Sequence, residues 1–291
     1  MIALLVFSLI AAGTVWFAGR KDQALDPRLT TVVLLLLALF PILVQAIPKI
    51  AVLPVAELGD HRWAALLLTV WSIGFLVSLI RLLRVSRRIT RWREASECIG
   101  KIGDVEFRQL GGIRGPMAAG IFRKIVFLPA DWDDWDETKR EWALAHELAH
   151  HRRKDPLRRW IAGFAVAANW FNPLVGWMVK RLLIQCEFAC DESVLKQGAK
   201  RESYAGLLCD LAEEKSLDDP VLAMAERSGL EARVRRIMRN PAAGEEMATS
   251  WLILFAVAMA GLLAILGAEQ IAGYTQGEIL LRRTADQFPG N

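Results

Sequence analysis

Apolar residues in this chain gather into long runs separated by short charged segments. Ile2 to Ala18, Leu29 to Ile47, Trp63 to Ile80 and Ala248 to Gly267 are almost wholly apolar. Each approaches the ~20 residues a helix needs to cross a bilayer. Pro41 interrupts the second run, which a lipid-embedded helix tolerates when its neighbours satisfy the freed carbonyl. A fifth run, Trp160 to Val179, carries Asn169, Asn172 and Pro173. A single crossing there would put the chain before Trp160 and the chain beyond Val179 on opposite sides of the membrane. It reads instead as a helical hairpin, buried in a domain or dipping into the membrane face.

Between about Cys98 and Met247 the pattern changes. Val105-Glu106-Phe107-Arg108 and Gly120 to Leu128 have the look of strands, and Gly111 to Pro116 between them is rich in turn formers. Asp131 to Glu137 places carboxylates just before a helical pattern, where they cap its first turn and offset its dipole. Asp155-Pro156 reads as a stop and restart, with Asp as N-cap and Pro at the first helical position. The expected fold is an α-helical integral membrane protein of four spans carrying an α+β domain. Its divisions are 1–96 with three spans, 97–247 the domain, 248–268 the fourth span, and 269–291 a short outer tail.

Charge orients these elements. Arg81, Arg84, Arg87, Arg88, Arg91 and Arg93 come directly after the third run, and Arg233, Arg235, Arg236 and Arg239 precede the fourth. Basic residues next to a span stay in the cytoplasm, so the N-terminus is expected outside and the domain in the cytoplasm of a multi-pass inner- or plasma-membrane protein. A cleavable signal peptide needs positive charge before its apolar core; here Arg20, Lys21 and Arg28 come after it. The net charge of +4 does not imply nucleic acid, because its arginines sit beside spans, where lipid headgroups are the partner. The composition, 54% hydrophobic, agrees with membrane residence. Cys98, Cys186, Cys190 and Cys209 form no C-x-x-C pair, and a cytoplasmic domain keeps them as thiols.

One stretch carries chemistry. Ala145 to His150 reads H-E-x-x-H within a helical pattern. His146 and His150, four apart, share a helix face and can hold one metal. Glu147 lies about 100° round from His146, placed to serve a water rather than the metal. Leu144 and Leu148 fall on the opposite side, free to enter a core. A solvated pair of histidines is the bland alternative, but the chain has only four His. A catalytic zinc takes three protein ligands and a water, so a third ligand is needed. His151 points away and His61 falls outside the membrane. Glu187 on a later helix is the leading candidate, with Asp191 four residues on, facing the same way and able to orient a ligating histidine. Cys190 is the softer alternative. Tyr204 is the one tyrosine of the domain and reads as core.

These motifs resemble the membrane metallopeptidases of the BlaR/MecR antirepressor type. The likeness rests on His146-Glu147-x-x-His150, Asn169-Trp170-Phe171-Asn172-Pro173-Leu174 and Glu187-x-x-Cys190-Asp191-x-x-Val194-Leu195. It extends to Pro116 to Phe122, Ile125 to Pro129, Tyr204-Ala205 and Arg233 to Met238, over roughly residues 95–245. The resemblance implies a gluzincin domain with Zn2+ on His146, His150 and Glu187 and with Glu147 as the catalytic base. It also implies cleavage of a cytoplasmic protein, a DNA-binding repressor in a signalling pathway, without direct contact to nucleic acid. Gly120 and Ile121 are expected to open a strand that holds substrate, and a homodimer is compatible with this layout. The best-known members carry an extracellular sensor domain after the last span. Here about two dozen residues remain beyond that span, so a signal is expected through the outer loop, the spans or a partner protein. The rival readings are a quality-control membrane protease and a non-catalytic receptor or scaffold with a structural metal.

Overall fold

A computed structural model describes residues 27–46, 61–215 and 220–239. The runs expected to span at Ile2 to Ala18 and Ala248 to Gly267 lie outside the described residues. The described chain is mostly helical with one small sheet. Helices α1 (Pro27–Ala46) and α2 (His61–Ala95) precede strands β1 (Glu97–Ile102), β2 (Val105–Gln109), β3 (Met117–Ala119) and β4 (Lys124–Leu128). After a 3-10 turn at Trp132–Asp134 come α3 (Glu137–Arg152), α4 (Asp155–Ala168), α5 (Pro173–Lys196), α6 (Arg201–Lys215) and α7 (Pro220–Arg239).

Helix α2 contains the one stretch among the described residues that is long and apolar enough to cross a membrane, Leu68–Ala95. It runs on without a break through the arginines, so the apolar segment and the basic run form one rod. Its outer surface is unburied, with Leu66, Leu68, Ile73 and Leu76 all more than half exposed.

The sheet has the order β1-β2-β4-β3. β2 and β4 pair in parallel, while β1 and β3 flank them antiparallel. Two expectations about this region need correction. The strand read from Gly120 to Leu128 begins only at Lys124. Gly120 and Ile121 sit in the turn between β3 and β4, because Gly120 has φ +85 and a side chain there would strike the Arg123 carbonyl. β4 is moreover covered on both sides, which leaves β3 as the open edge facing α3.

The sheet and α3 share one core. Val105, Phe107, Val126 and Leu128 meet Trp132, Trp135 and Ala143, with Leu144 and Leu148 packed on them. Asp136 caps α3 by accepting from the Lys139 N–H at 2.9 Å. At the other end of α3, the chain turns through Lys154 at φ 60. Asp155 is therefore the first residue of α4, not its N-cap, and its carboxylate is left free to point inward.

A second core joins α1, α4 and α5: Val33, Leu34, Leu37 and Ala38 pack on Ala162, Ala165, Val175, Met178 and Leu182. Helices α4 and α5 form the expected hairpin, turning at Asn169 to Asn172, where the Asn172 side chain caps α5.

Candidate active site

The site lies where α3 crosses α5. Leu144 and Leu148 of α3 pack on the sheet core, and His146 and His150 lie on the other side of the helix, toward α5. Their imidazole planes stand nearly perpendicular, with centroids 4.9 Å apart. His146 Nε2 is 3.3 Å from Glu187 Oε2, and His150 Nε2 is 3.6 Å from Glu187 Oε1. Glu147 adds a fourth donor, since His146, Glu147 and His150 present ligand atoms within 4.8 Å of one another.

Each histidine is gripped from behind at Nδ1. On one side, His146 Nδ1 lies 3.0 Å from the Tyr204 hydroxyl and 3.2 Å from Asp191 Oδ1. The Tyr204 hydroxyl in turn donates to Asp191 Oδ1 at 2.9 Å. On the other side, His150 Nδ1 lies 3.0 Å from Asp155 Oδ2, and Asp155 also pairs with Arg158. Acceptors at both Nδ1 atoms hold a proton there, so that the Nε2 of each ring, once deprotonated, is the atom available to a metal on the Glu187 side. Two imidazole nitrogens and one carboxylate converging this way suit a divalent transition metal.

Cys190 stands behind His150, with Sγ 3.2 Å from Nδ1, and its thiol donates to Asp155 Oδ2 at 3.6 Å. Burial and the Asp155 charge push that thiol far above the usual range, so it stays protonated on the side away from Glu187.

Arg233 on α7 holds the carboxylates of α5. It donates to Asp191 Oδ2 from Nε at 2.8 Å and to Oδ1 from an Nη at 2.6 Å, while its other Nη lies 3.3 Å from Glu187 Oε2. Arg159, half-exposed on α4, donates to Glu187 Oε1 at 3.2 Å. Burial alone would push Glu187 up, yet the His146 bond and the Arg233 charge outweigh it and hold Glu187 well below the ordinary carboxylate range. Asp191 behaves likewise and falls to about 2, again with Arg233 the main opposing influence. Conversely, burial would lower His146, but its bonds to Asp191 and Glu187 prevail and raise it to about 9. The pocket is built around a positive charge.

Glu147 is partly buried at the sheet side, where its Oε2 accepts from the Ala118 N–H at 2.6 Å. His151 turns the other way and donates from Nε2 to the Ile125 carbonyl at 2.9 Å.

Sequence reasoning missed three contributors. Asp155 has the pattern of a cap, and only the left-handed turn at Lys154 sends it inward. Tyr204 is buried as core, yet its hydroxyl belongs to the site. Arg233 lies 42 residues from Asp191, and no spacing rule reaches that far.

A family model described as BlaR1 peptidase M56 matches residues 38–239, more than two thirds of the chain. Over 126 residues the chain is 29% identical to the regulatory protein BlaR1 of Bacillus licheniformis, covering 43% of this chain and 21% of that protein. The matched segment thus spans about a fifth of the relative's length. With its H-E-x-x-H helix, its buried partners and the match running from α1 to α7, this chain belongs to the BlaR1 peptidase M56 family.

Proposed function

We propose that this chain is a zinc endopeptidase of the membrane that hydrolyses peptide bonds of a cytoplasmic protein, a transcriptional repressor, within a signalling pathway. The observation that carries this reading is the convergence of His146 Nε2 and His150 Nε2 on the Glu187 carboxylate, with Glu147 beside them. In this reading α1, α2 and two further segments cross the bilayer, and the domain beyond α2 is a cytoplasmic gluzincin.

A bound zinc would supply a Lewis acid for the scissile carbonyl and bring the pKa of water near neutrality. Glu147 accepts the proton of the attacking water and returns it to the departing amine. The Ala118 N–H holds one carboxylate oxygen of Glu147, fixing its direction and leaving the other for the water. The same contact brings β3 beside the scissile bond. Its open edge can pair with an extended segment of substrate, with Gly120 and Ile121 forming the bend at the end of that edge. Asp191 and Tyr204 orient His146, and Asp155 orients His150. Tyr204, almost fully buried, donates nothing to substrate; the cation on the open side of Glu187 is Arg159.

The test is Glu147→Gln in the full chain reconstituted in lipid. The variant should retain zinc, measured by elemental analysis, and lose peptide hydrolysis by roughly a hundredfold to ten-thousandfold. A comparison of cytoplasmic proteomes between the two forms then identifies the substrate. Unchanged hydrolysis in the variant sinks the mechanism.

A further inference from the structure

Resting on the reading of α1 and α2 as spans, we infer that the α4–α5 hairpin is itself inserted in the lipid. Its tip lies near the middle of the hydrocarbon, and the catalytic centre lies at the membrane surface.

Two helices gauge the depth independently. On α2, Trp71 donates from its indole to the Ala168 carbonyl at 3.1 Å, and the Trp170 indole donates to the Trp71 carbonyl at 3.2 Å. Trp71 precedes the first arginine of α2's basic run, Arg81, by about 15 Å of helix, half of a ~30 Å hydrocarbon layer. On α1, the Asn169 amide donates to the Leu37 carbonyl at 3.3 Å, in the middle of that helix's apolar stretch. At the other end of the same contact, Thr30 donates to Gln185 Oε1 at 2.9 Å. Both helices therefore place the 169–172 turn deep, and α1 places Gln185 shallow.

The hairpin's chemistry agrees with that depth. No charged residue occurs from Trp160 to Val179, while Arg158, Arg159, Lys180 and Arg181 mark both legs at the base. Phe164 and Trp170, both more than a third exposed, show apolar surface on the outside of the bundle. Non-helical backbone survives at such depth only when protein satisfies it. Here the Asn169 N–H bonds the Ala165 carbonyl, the Asn172 N–H bonds the Asn169 carbonyl at 2.8 Å, and the Asn172 side chain takes the Leu174 N–H.

Glu187 lies half a turn beyond Gln185, and Asp155 opens α4 about 20 Å from the tip. The His146–Glu187 centre thus falls at the headgroup layer. The substrate this geometry favours is a protein segment presented at the membrane surface.

Spin labelling in liposomes tests this. Cys98 and Cys209 are replaced by Ser, the fully buried Cys186 and Cys190 are kept, and single cysteines are placed at Val77, Phe164, Trp170 and Lys196. Nitroxides at 77, 164 and 170 should be relaxed more by oxygen than by an aqueous nickel chelate, with the order reversed at 196. Nickel dominance at both 164 and 170 with oxygen dominance at 77 overturns the inserted hairpin alone. Nickel dominance at 77 overturns the span reading beneath it. Phe164 carries the test should Trp170→Cys fail to fold.

Discussion

Asp155 and Asp191 serve the two histidines from opposite sides of the site, each through the Nδ1 that faces away from Glu187. Replacing either by Asn keeps the volume but weakens the acceptor, and metal affinity should fall by about 10- to 100-fold. Tyr204→Phe should give a smaller loss in the same assay, because Asp191 still reaches His146 at 3.2 Å. Competition with a chelating dye reads all three.

Protons compete with the metal for the same ring. His146 is raised to about 9 in the metal-free protein, so its protonated form stabilises the fold fully below the ordinary value of 6.5. That contribution is lost as the pH climbs through about 9. Metal must displace this proton, so affinity should rise close to tenfold per pH unit toward about pH 9 and then level. Calorimetry in buffers of different ionisation enthalpy should show about one proton released near neutrality. Affinity independent of pH over this range would contradict it. At this scale the sequence showed His146, Glu147 and His150 through their spacing. Arg233 and the inward turn of Asp155 were hidden, because they depend on tertiary packing and on one left-handed residue.

Among the elements, β3 has the largest influence for its size. Ala118 sits opposite Val126, yet its N–H goes to Glu147 and not into the sheet. Proline is tolerated on an edge whose N–H faces away from the ladder. Ala118→Pro should therefore keep the fold, by circular dichroism, while cutting turnover about tenfold or more through loss of one oriented hydrogen bond. Gly120→Ala should instead cost about 1–3 kcal/mol in unfolding free energy, because its backbone is held where side chains are strained. Helix α3 was legible from its acidic cap and apolar face, and the α4–α5 hairpin from its apolar run broken by Asn169, Asn172 and Pro173, although the cap read at Asp155 was one residue late. β1 and β3 were not: β1 is exposed along its whole length and so shows no alternation, and β3 has only three residues. Reading one strand from Gly120 merged a turn with β4 and missed the edge beside it.

For the whole molecule, the hydrophobic pattern marked the apolar runs but left the placement of Trp160 to Val179 open. The pairing of Asn169 with Leu37 and of Trp170 with Trp71 supplies the depth that composition lacks. Gly74 lies against the Trp170 ring, and a side chain there would collide with it. Gly74→Leu should accordingly lower the melting temperature in detergent and loosen the hairpin, seen as faster proteolysis near its base.

The unbroken course of α2 has a mechanical consequence. Its C-terminal end is bolted to the sheet: Trp92 stands edge-on to Phe127 of β4, and Arg93 pairs with Glu106 of β2. β4 carries β3, and β3 holds Glu147. A loop between α2 and the sheet would absorb a tilt or a piston stroke; a stiff rod delivers it undamped, so the strand that aims Glu147 moves with any displacement of the helix.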